Sequence, residues 1–323
     1  MRKNLNTEHI EGYLYEHDLT VKVTGPDSKV PGTEFITGSI KVAVDENLLN
    51  VIPVKFTYVT ATNKNGGANK TWTVLKKIID GGSTVIANGK DAALKVKVDT
   101  SIALNDFYKD DELVSAKENN GGFVEIVSTL CDEAARNTFK VDMLIMSVKT
   151  TEPSEENHVE QPFVTVEGMI FNFKNDILPV SFRVDNPAGM KYFEDLGVSQ
   201  VEPLYTQVWG KIYNSTVTKT ITEESAFGES AVRTVARTIK NWTITGARPN
   251  AYEFGEENVL TMEDIKTGMQ NRQTMLAEVK AKRDAYMATR AAAPTQSAFG
   301  NAAPAQAAAP TGYTSAPAGN WSF

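Results

Sequence analysis

The chain contains the stretch Ile36-Thr37-Gly38-Ser39-Ile40, followed by Ile52-Pro53-Val54-Lys55-Phe56-Thr57-Tyr58. A similar pair occurs again as Val166-Glu167-Gly168-Met169-Ile170 and Leu178-Pro179-Val180-Ser181-Phe182-Arg183-Val184. In each pair, alternating apolar residues indicate a strand whose glycine permits a bulge, then a turn and a second strand. Such a unit is typical of the start of a small, strongly curved β-barrel. The repetition therefore predicts two barrels in tandem.

The repeat can be aligned in a second way, because Ile10-Glu11-Gly12-Tyr13-Leu14-Tyr15 also matches Val166-Glu167-Gly168-Met169-Ile170-Phe171. We favour the alignment on Gly38, because the distance to the following Pro-Val-x-Phe stretch then differs little between the two copies. The length of 323 residues also leaves room for about two domains of ordinary size.

Composition narrows the class of protein. Cys131 is the only cysteine, so an intrachain disulfide is impossible, and the first residues are polar, unlike a signal peptide. No apolar run approaches the ~20 residues that a membrane span requires. We therefore expect a soluble cytosolic protein without a membrane partner.

The charge balance limits how the chain could bind nucleic acid. Its net charge is −7, from 33 basic and 40 acidic residues, which disfavours affinity that comes mainly from phosphate neutralisation. Binding of a single strand remains possible, because bases can stack on aromatic side chains beside a local basic groove.

Local patterns divide the chain into segments. Residues 1–150 contain short alternating runs and one helix at 71–80, which Gly81-Gly82 ends, so they predict a five-stranded Greek-key OB barrel. The polar, acidic residues 151–160 indicate a linker. Residues 161–250 predict a second OB-like barrel, with a helix at 188–196. We expect two separate sheets without parallel strands.

The rest of the chain predicts a helix and a tail. Residues 251–290 include an amphipathic helix from Met262 to Arg290, with Thr261 and Asp264 at the spacing of a capping box. This helix either docks on the second barrel or forms a coiled coil, and Arg272 disfavours the coiled coil. Residues 291–323 carry no charge and are rich in Ala and Pro, so we expect them to be disordered.

Residues for catalysis or metal binding are scarce. His9, His17 and His158 are the only histidines, and none has the i, i+4 spacing or the neighbouring cysteine of a zinc site. We therefore predict no metal, no cofactor and no enzymatic activity.

Residues for binding are more evident in the segment 203–213. Strand alternation places Leu204, Val208 and Ile212 on one face. The other face joins three aromatic residues to a lysine and a glutamine, as a stacking surface for unpaired bases would. Its members are Tyr205, Gln207, Trp209, Lys211 and Tyr213. The alternative is that the C-terminal helix or a loop covers these aromatic residues.

Further candidates lie on other predicted strands or at the start of the first helix. Lys55 and Arg183 point outward from the two Pro-Val-x-Phe strands, whereas Phe56 and Phe182 point into the core. The remaining candidates for contact with nucleic acid are Tyr13, Tyr15, Lys70, Trp72, Lys95 and Lys97. A tryptophan at the position of Trp72, where a loop enters a helix, is more often part of the core than a ligand contact.

Several stretches resemble one family of proteins. They are Gly12-Tyr13-Leu14-Tyr15-Glu16-His17-Asp18-Leu19, Pro31-Gly32-Thr33-Glu34-Phe35-Ile36, Val54-Lys55-Phe56-Thr57-Tyr58-Val59, Asn186-Pro187-Ala188-Gly189-Met190-Lys191-Tyr192-Phe193-Glu194 and Glu223-Glu224-Ser225-Ala226-Phe227-Gly228. Over about residues 1–290 the chain resembles single-stranded-DNA-binding proteins of tailed phages that infect Gram-positive-type bacteria. The resemblance implies DNA replication or recombination in the cytoplasm of the infected host.

Two further expectations follow. The alternative function is a virion or assembly protein, because tandem β-domains with a helix and a flexible tail also suit phage structural proteins. Trp321 and Phe323, beside the terminal carboxylate, suit a small apolar pocket with a basic rim on a replication or recombination partner. Exposed strand edges and the C-terminal helix also make an oligomer possible.

Overall fold

The computed structural model describes residues 4–292, except 64, 110, 155–158, 224–226, 228–230 and 255–258. The strands are β1 (Asn6–His17), β2 (Thr20–Val23), β3 (Glu34–Ala43), β4 (Val51–Thr60), β5 (Lys95–Lys109), β6 (Glu112–Ile126), β7 (Asn137–Thr151), β8 (Phe163–Phe171), β9 (Ile177–Val184), β10 (Leu204–Glu223) and β11 (Ala231–Ala247). The protein is mainly β, as the sequence predicts.

The helices are α1 (Lys70–Ile79), α2 (Val85–Asn88), α3 (Pro187–Glu194) and α4 (Met262–Ala292). Three of them match the helices predicted at 71–80, 188–196 and 262–290. Asn69 and Asn186 cap α1 and α3, because their side chains accept hydrogen bonds from the first-turn amides. No helix in the described part of the chain is long and apolar enough to cross a membrane.

The first barrel is closed by β1, β3, β4, β6 and β5 in that order, and β5 pairs back onto β1. These pairings are antiparallel except that of β4 with β6, which is parallel at Val54 and Asn119. α1 lies between the third and fourth barrel strands. This arrangement is an OB fold, and β2 extends its sheet beside β3.

The second barrel repeats the first. Its order is β7, β8, β9, β11 and β10, and β10 pairs back onto β7. Again one pairing is parallel, between Arg183 of β9 and Thr243 of β11, and a helix, α3, lies between the third and fourth strands. The prediction of two tandem OB barrels is confirmed.

The expectation of separate, wholly antiparallel sheets is wrong. β1 pairs with β7 from Asn6 opposite Val141 to Ile10 opposite Asn137, so one hydrogen-bonded sheet runs through both barrels. Each parallel pair arises because the last strand of an OB barrel closes against the third, which runs in the same direction.

The boundary between the domains also differs from the prediction, which placed residues 1–150 in the first domain. β7 pairs with β8 and β10, and therefore belongs to the second barrel. The supposed linker at 151–160 joins β7 to β8 within that barrel. Local alternation shows that β7 is a strand but not which barrel it joins. We propose a boundary at residues 127–136.

The repeated glycines lie where strands pack closely. Gly38 is in β3 and Gly168 is in β8, the second strands of their barrels. Gly38 has a φ of +126° and a bulge beside it, and an added Cβ would lie 2.7 Å from the carbonyl oxygen of Asp18. A Cβ on Gly168 would collide with the carbonyl oxygen of Leu144. Both positions therefore require glycine, which explains the repeat.

One apolar core runs through both barrels. Phe56 and Phe182, on the third strand of each barrel, are buried in it as predicted. Phe182 stacks on Phe139 with ring centroids 5.1 Å apart. Because β1 and β7 carry core residues of both barrels, the barrels pack as one unit.

A buried polar cluster lies where the barrels meet. Glu8 accepts hydrogen bonds from Trp242 Nε1 at 2.8 Å and from Thr100 Oγ1 at 2.6 Å. Burial raises the pKa of the Glu8 carboxyl to about 7 and lowers the pKa of the Lys117 ammonium to about 7. The Lys117 nitrogen lies 4.7 Å from the Trp242 ring centroid. Desolvation thus favours the neutral forms of both groups.

The C-terminal helix α4 docks on the second barrel, as one of the two alternatives predicts. Thr261 and Asp264 form the expected cap. Gly268 allows the helix to approach Ile177 of β9, since a Cβ there would lie 2.8 Å from the Ile177 side chain. α4 also reaches the first barrel, where Arg272 pairs with Asp106 of β5.

Candidate nucleic-acid interface

One outer sheet face crosses both barrels. Its strands are adjacent in the order β9, β11, β10, β7, β1 and β5. Cross-strand pairs form a row along this face: Arg183, Thr243, Lys211, Thr138, His9 and Asp99. Phe123 of β6 pairs with Asp99 at the end of the row and is 69% exposed. We refer to this surface as the junction face.

Trp209 lies beside the row on β10 and is 38% exposed. Its strand partner is Lys140 of β7, whose Nζ lies 5.9 Å from the Trp209 ring centroid. Together with Thr7, His9 and Thr138, these side chains line a shallow groove of about 440 Å³. The groove therefore combines an accessible indole with a nearby cation.

Lys211 follows Trp209 on the same face. Its Nζ is buried, and it has no hydrogen-bond partner among the described residues. Burial lowers the pKa of this ammonium. An anionic oxygen at this position would supply the missing partner, and it would favour the charged form of the lysine.

The structure exposes one end of the predicted binding segment 203–213 and buries the other. Tyr213 is 42% exposed, and burial together with Asp185 raises the pKa of its phenol. Tyr205 is fully buried and packs on Tyr252 and Phe254 with centroids 5.0 and 6.2 Å away. Tyr252 and Phe254 therefore cover Tyr205, and this ring is not accessible to a base.

The two basic residues of the Pro-Val-x-Phe strands have partners. Arg183 lies on the junction face, with its guanidinium 3.9 Å from the Phe163 ring centroid and 3.6 Å from Asp185. Lys55 is paired with Glu118 at 3.0 Å. Arg183 and Phe163 thus form a cation–aromatic pair near Lys211, whereas Lys55 is occupied by a carboxylate.

Only some of the residues of the first barrel that were predicted to contact nucleic acid lie together on the junction face. Lys95 and Lys97 pair with Tyr13 and Glu11 across β5 and β1, which continues the junction face into the first barrel. Tyr13 donates a 3.1 Å hydrogen bond to Glu46, and its ring lies under Lys90. Tyr15 is half-buried on the same strand.

Lys70 and Trp72 lie on α1 and not among these strands. Lys70 is the exposed first residue of the helix, and Trp72 packs against the main core. The core interpretation of Trp72 is therefore the right one. The helix position is set by its contact with β6, where Thr71 Oγ1 donates to the carbonyl oxygen of Gly122 at 3.0 Å.

Sequence reasoning missed several residues of this surface. Lys140 could have been found, because alternation between the buried Phe139 and Val141 places it outward. Phe35 and Tyr58 form a second aromatic surface on β3 and β4, with ring centroids 4.7 Å apart and Tyr58 52% exposed. Strands two and three form the usual ligand face of an OB barrel.

The junction face also brings possible metal ligands together. His9, Glu11 and Cys131 offer ligand atoms within 4.8 Å of one another. The spacing of histidines and cysteine in the sequence does not show this, since Cys131 lies in the loop after β6. The other predicted contacts, Trp321 and Phe323, lie outside the described residues, and partner recruitment through them stays a prediction.

The strand orders and the shared face define a protein of two OB barrels fused through their first strands. The chain belongs to the YorF family, whose model matches residues 4–282. No curated protein sequence matches the chain.

Among solved structures, the chain is similar to the wild-type single-stranded DNA binding protein from Thermus aquaticus. The TM-score is 0.46 at 10% identity, with 80% of this chain and 98% of that chain covered. A deletion mutant of the same Thermus aquaticus protein gives a TM-score of 0.45 at 11% identity, with 80% and 100% covered.

Proposed function

We propose that this protein binds single-stranded DNA with little sequence preference, through the junction face and without catalysis. The observation that carries the proposal is the pair formed by Trp209 and Lys211. Trp209 offers an exposed ring, and the neighbouring ammonium of Lys211 has no hydrogen-bond partner in the described residues. A base on the indole and a phosphate on the lysine would satisfy both side chains.

Base stacking explains why the affinity would depend little on the base sequence of the DNA. Every base has a π-face, so an aromatic ring accepts each of them, and stacking contributes about 1–3 kcal/mol per base. Trp209 and Tyr213 are exposed two strand positions from Lys211 on either side. Phe35 and Tyr58 would continue the same kind of contact on the first barrel.

The local positive charge of the junction face, and not the total charge of the protein, would bind the phosphate backbone of the DNA. The chain has a net charge of −7, yet Lys140, Lys211 and Arg183 lie together on the junction face. A few phosphate contacts would give a shallow salt dependence, because each contributes only about 0.7 to the logarithmic slope for a single strand.

The biological setting of this proposal rests on sequence resemblance. Stretches such as Gly12-Tyr13-Leu14-Tyr15-Glu16-His17-Asp18-Leu19 resemble tailed-phage proteins that bind single-stranded DNA. We infer a role in phage DNA replication or recombination, in the cytoplasm of the infected bacterium.

Fluorescence anisotropy with labelled oligo-dT and a duplex of matched length, measured over a salt series, tests the proposed function. We expect strong preference for the single strand and a shallow slope of log K against log salt. Equal binding to both, or no binding to either, would overturn the proposal and favour a virion or assembly protein.

A further inference from the structure

Three side chains of different chemistry converge at the edge of the groove. His9 Nε2 lies 3.2 Å from Glu11 Oε2, and Cys131 Sγ lies 3.9 Å from the same histidine nitrogen. All three ligand atoms lie within 4.8 Å of one another. His9 and Glu11 project from one face of β1, and the loop after β6 brings Cys131 to them.

The spacing fits one small, borderline-soft cation. Nitrogen, oxygen and sulfur ligands about 2.0–2.3 Å from a tetrahedral Zn²⁺ lie roughly 3.2–3.8 Å from one another. The two separations from His9, 3.2 and 3.9 Å, are close to these edges, and the third, between Glu11 and Cys131, is within 4.8 Å. Imidazole, carboxylate and thiolate together form a donor set that suits zinc better than magnesium or calcium.

Neighbouring groups already hold the three ligands in place. Asp99 Oδ1 lies 3.5 Å from His9 Nδ1, so it would accept the Nδ1 proton when Nε2 binds a metal ion. The Cys131 amide donates to Glu11 Oε1 at 2.6 Å, which leaves Oε2 facing the histidine. Arg136 Nε donates to the Cys131 carbonyl at 2.8 Å and fixes the loop.

We propose that His9, Glu11 and Cys131 form a zinc site. Three protein ligands leave one coordination position for water. When the S–Zn bond forms, the Cys131 thiol releases its proton to solvent, so the site changes from a neutral thiol to a metal thiolate. The nearby cations Lys211 and Arg136 oppose metal binding but favour the thiolate, and the carboxylates of Glu11 and Asp99 offset their charge.

Zinc at this place would tie the loop after β6 to β1, on the junction face. His9 lines the same groove as Trp209 and Lys140. The site therefore differs from the proposed DNA contacts but lies next to them, and it can be tested without DNA.

Titration with Co²⁺ and with Zn²⁺ tests the site directly, using the full chain after treatment with a chelator and a reductant. We expect one Co²⁺ per chain, with a thiolate-to-cobalt absorption band that Zn²⁺ abolishes. Cys131→Ser should remove the band, and His9→Ala should weaken Zn²⁺ binding at least tenfold. Asp99→Asn, which removes the carboxylate that positions His9 and offsets the nearby cations, should weaken it about 10–100-fold.

His17→Ala is the matched control, since it removes a histidine from the same strand outside the cluster, and its Zn²⁺ affinity should equal that of the wild type. Unchanged melting temperatures of all metal-free variants would show that they fold. A cobalt spectrum without the thiolate band, or unchanged Zn²⁺ binding in both Cys131→Ser and His9→Ala, would overturn the proposal. Neither outcome bears on DNA binding measured in chelator.

Discussion

Arg272 of α4 and Asp106 of β5 form a bidentate ion pair that joins the C-terminal helix to the first barrel. Arg272 Nη1 donates to Asp106 Oδ2 at 2.6 Å, and Nη2 donates to Oδ1. Their side chains are only 9% and 5% exposed. Since α4 also packs on Ile177 of β9, this pair fixes the helix across both barrels.

Removal of one partner should be costly, because the other charge is then left buried without compensation. We expect Arg272→Ala to lower the free energy of unfolding by about 3–5 kcal/mol, measured by urea denaturation. Replacing both partners, as Arg272→Met with Asp106→Leu, should recover most of the loss. A decrease below about 1 kcal/mol in the single variant would show that the pair is effectively solvated.

Trp209 is expected to contribute directly to DNA affinity. Trp209→Ala should weaken binding of oligo-dT by about 1–3 kcal/mol, because one stacked base loses its ring. Anisotropy at fixed salt measures the change, and Phe173→Ala is the control, since Phe173 is 77% exposed but lies away from the junction face. Equal effects of the two substitutions would argue against a specific stacking site.

The lysines of the junction face should determine the salt dependence. If Lys140 and Lys211 each meet one phosphate, the double change to Gln should reduce the slope of log K against log salt by ~1.4. The control pair Lys29→Gln with Lys174→Gln makes the same change of net charge elsewhere on the surface. A control slope that falls equally would mean that only the overall charge matters.

Glu8 should make stability depend on pH. The carboxyl has a pKa near 4.5 in the unfolded chain and about 7 in the folded protein, so the native state holds an extra proton between these values. The contribution of Glu8 to the free energy of unfolding is complete below pH 4.5, and it is lost as the pH rises to about 7. The shift corresponds to roughly 3 kcal/mol.

Glu8→Gln tests this dependence, since the amide oxygen can still accept from Trp242 and the amide nitrogen can donate to the Thr100 hydroxyl, which now donates to Glu8. The stability of the wild type relative to this variant should fall between pH 4.5 and 7 in urea denaturation. Glu34→Gln, at an exposed carboxyl, should preserve the pH dependence of the wild type. A constant difference between wild type and Glu8→Gln would contradict the raised pKa.

The repeat around Gly38 and Gly168 was sufficient to predict two OB barrels, because these glycines mark close strand packing in both. Helices α1, α3 and α4 were also predictable, since an apolar stripe and a cap are local features. The role of β7 was not, because pairing between distant strands leaves no local pattern. Nothing in the alternation of residues 137–151 distinguishes the two barrels.

The candidate nucleic-acid interface was also predictable from the sequence only in part. Alternation correctly placed Trp209, Lys211 and Tyr213 on an outer face, but it could not show that Tyr252, Val259 and Leu260 pack in one buried cluster with Tyr205. The approach of Cys131 to His9 was equally hidden, since 122 residues separate them along the chain. Local sequence patterns thus indicated on which side of a strand a residue lies. Which side chains are covered by other segments, and which come together from distant segments, depended on the tertiary fold.

The pairing of β1 with β7 fixes the distance and the orientation between the two barrels. Binding modules on a flexible tether can rotate, and the length of strand that they cover changes with conditions. Here the two halves share main-chain hydrogen bonds from Asn6 to Ile10, so one half cannot turn against the other without breaking them. A strand held along this surface would meet a contour of fixed length, and each molecule would occlude the same number of nucleotides at low and high salt.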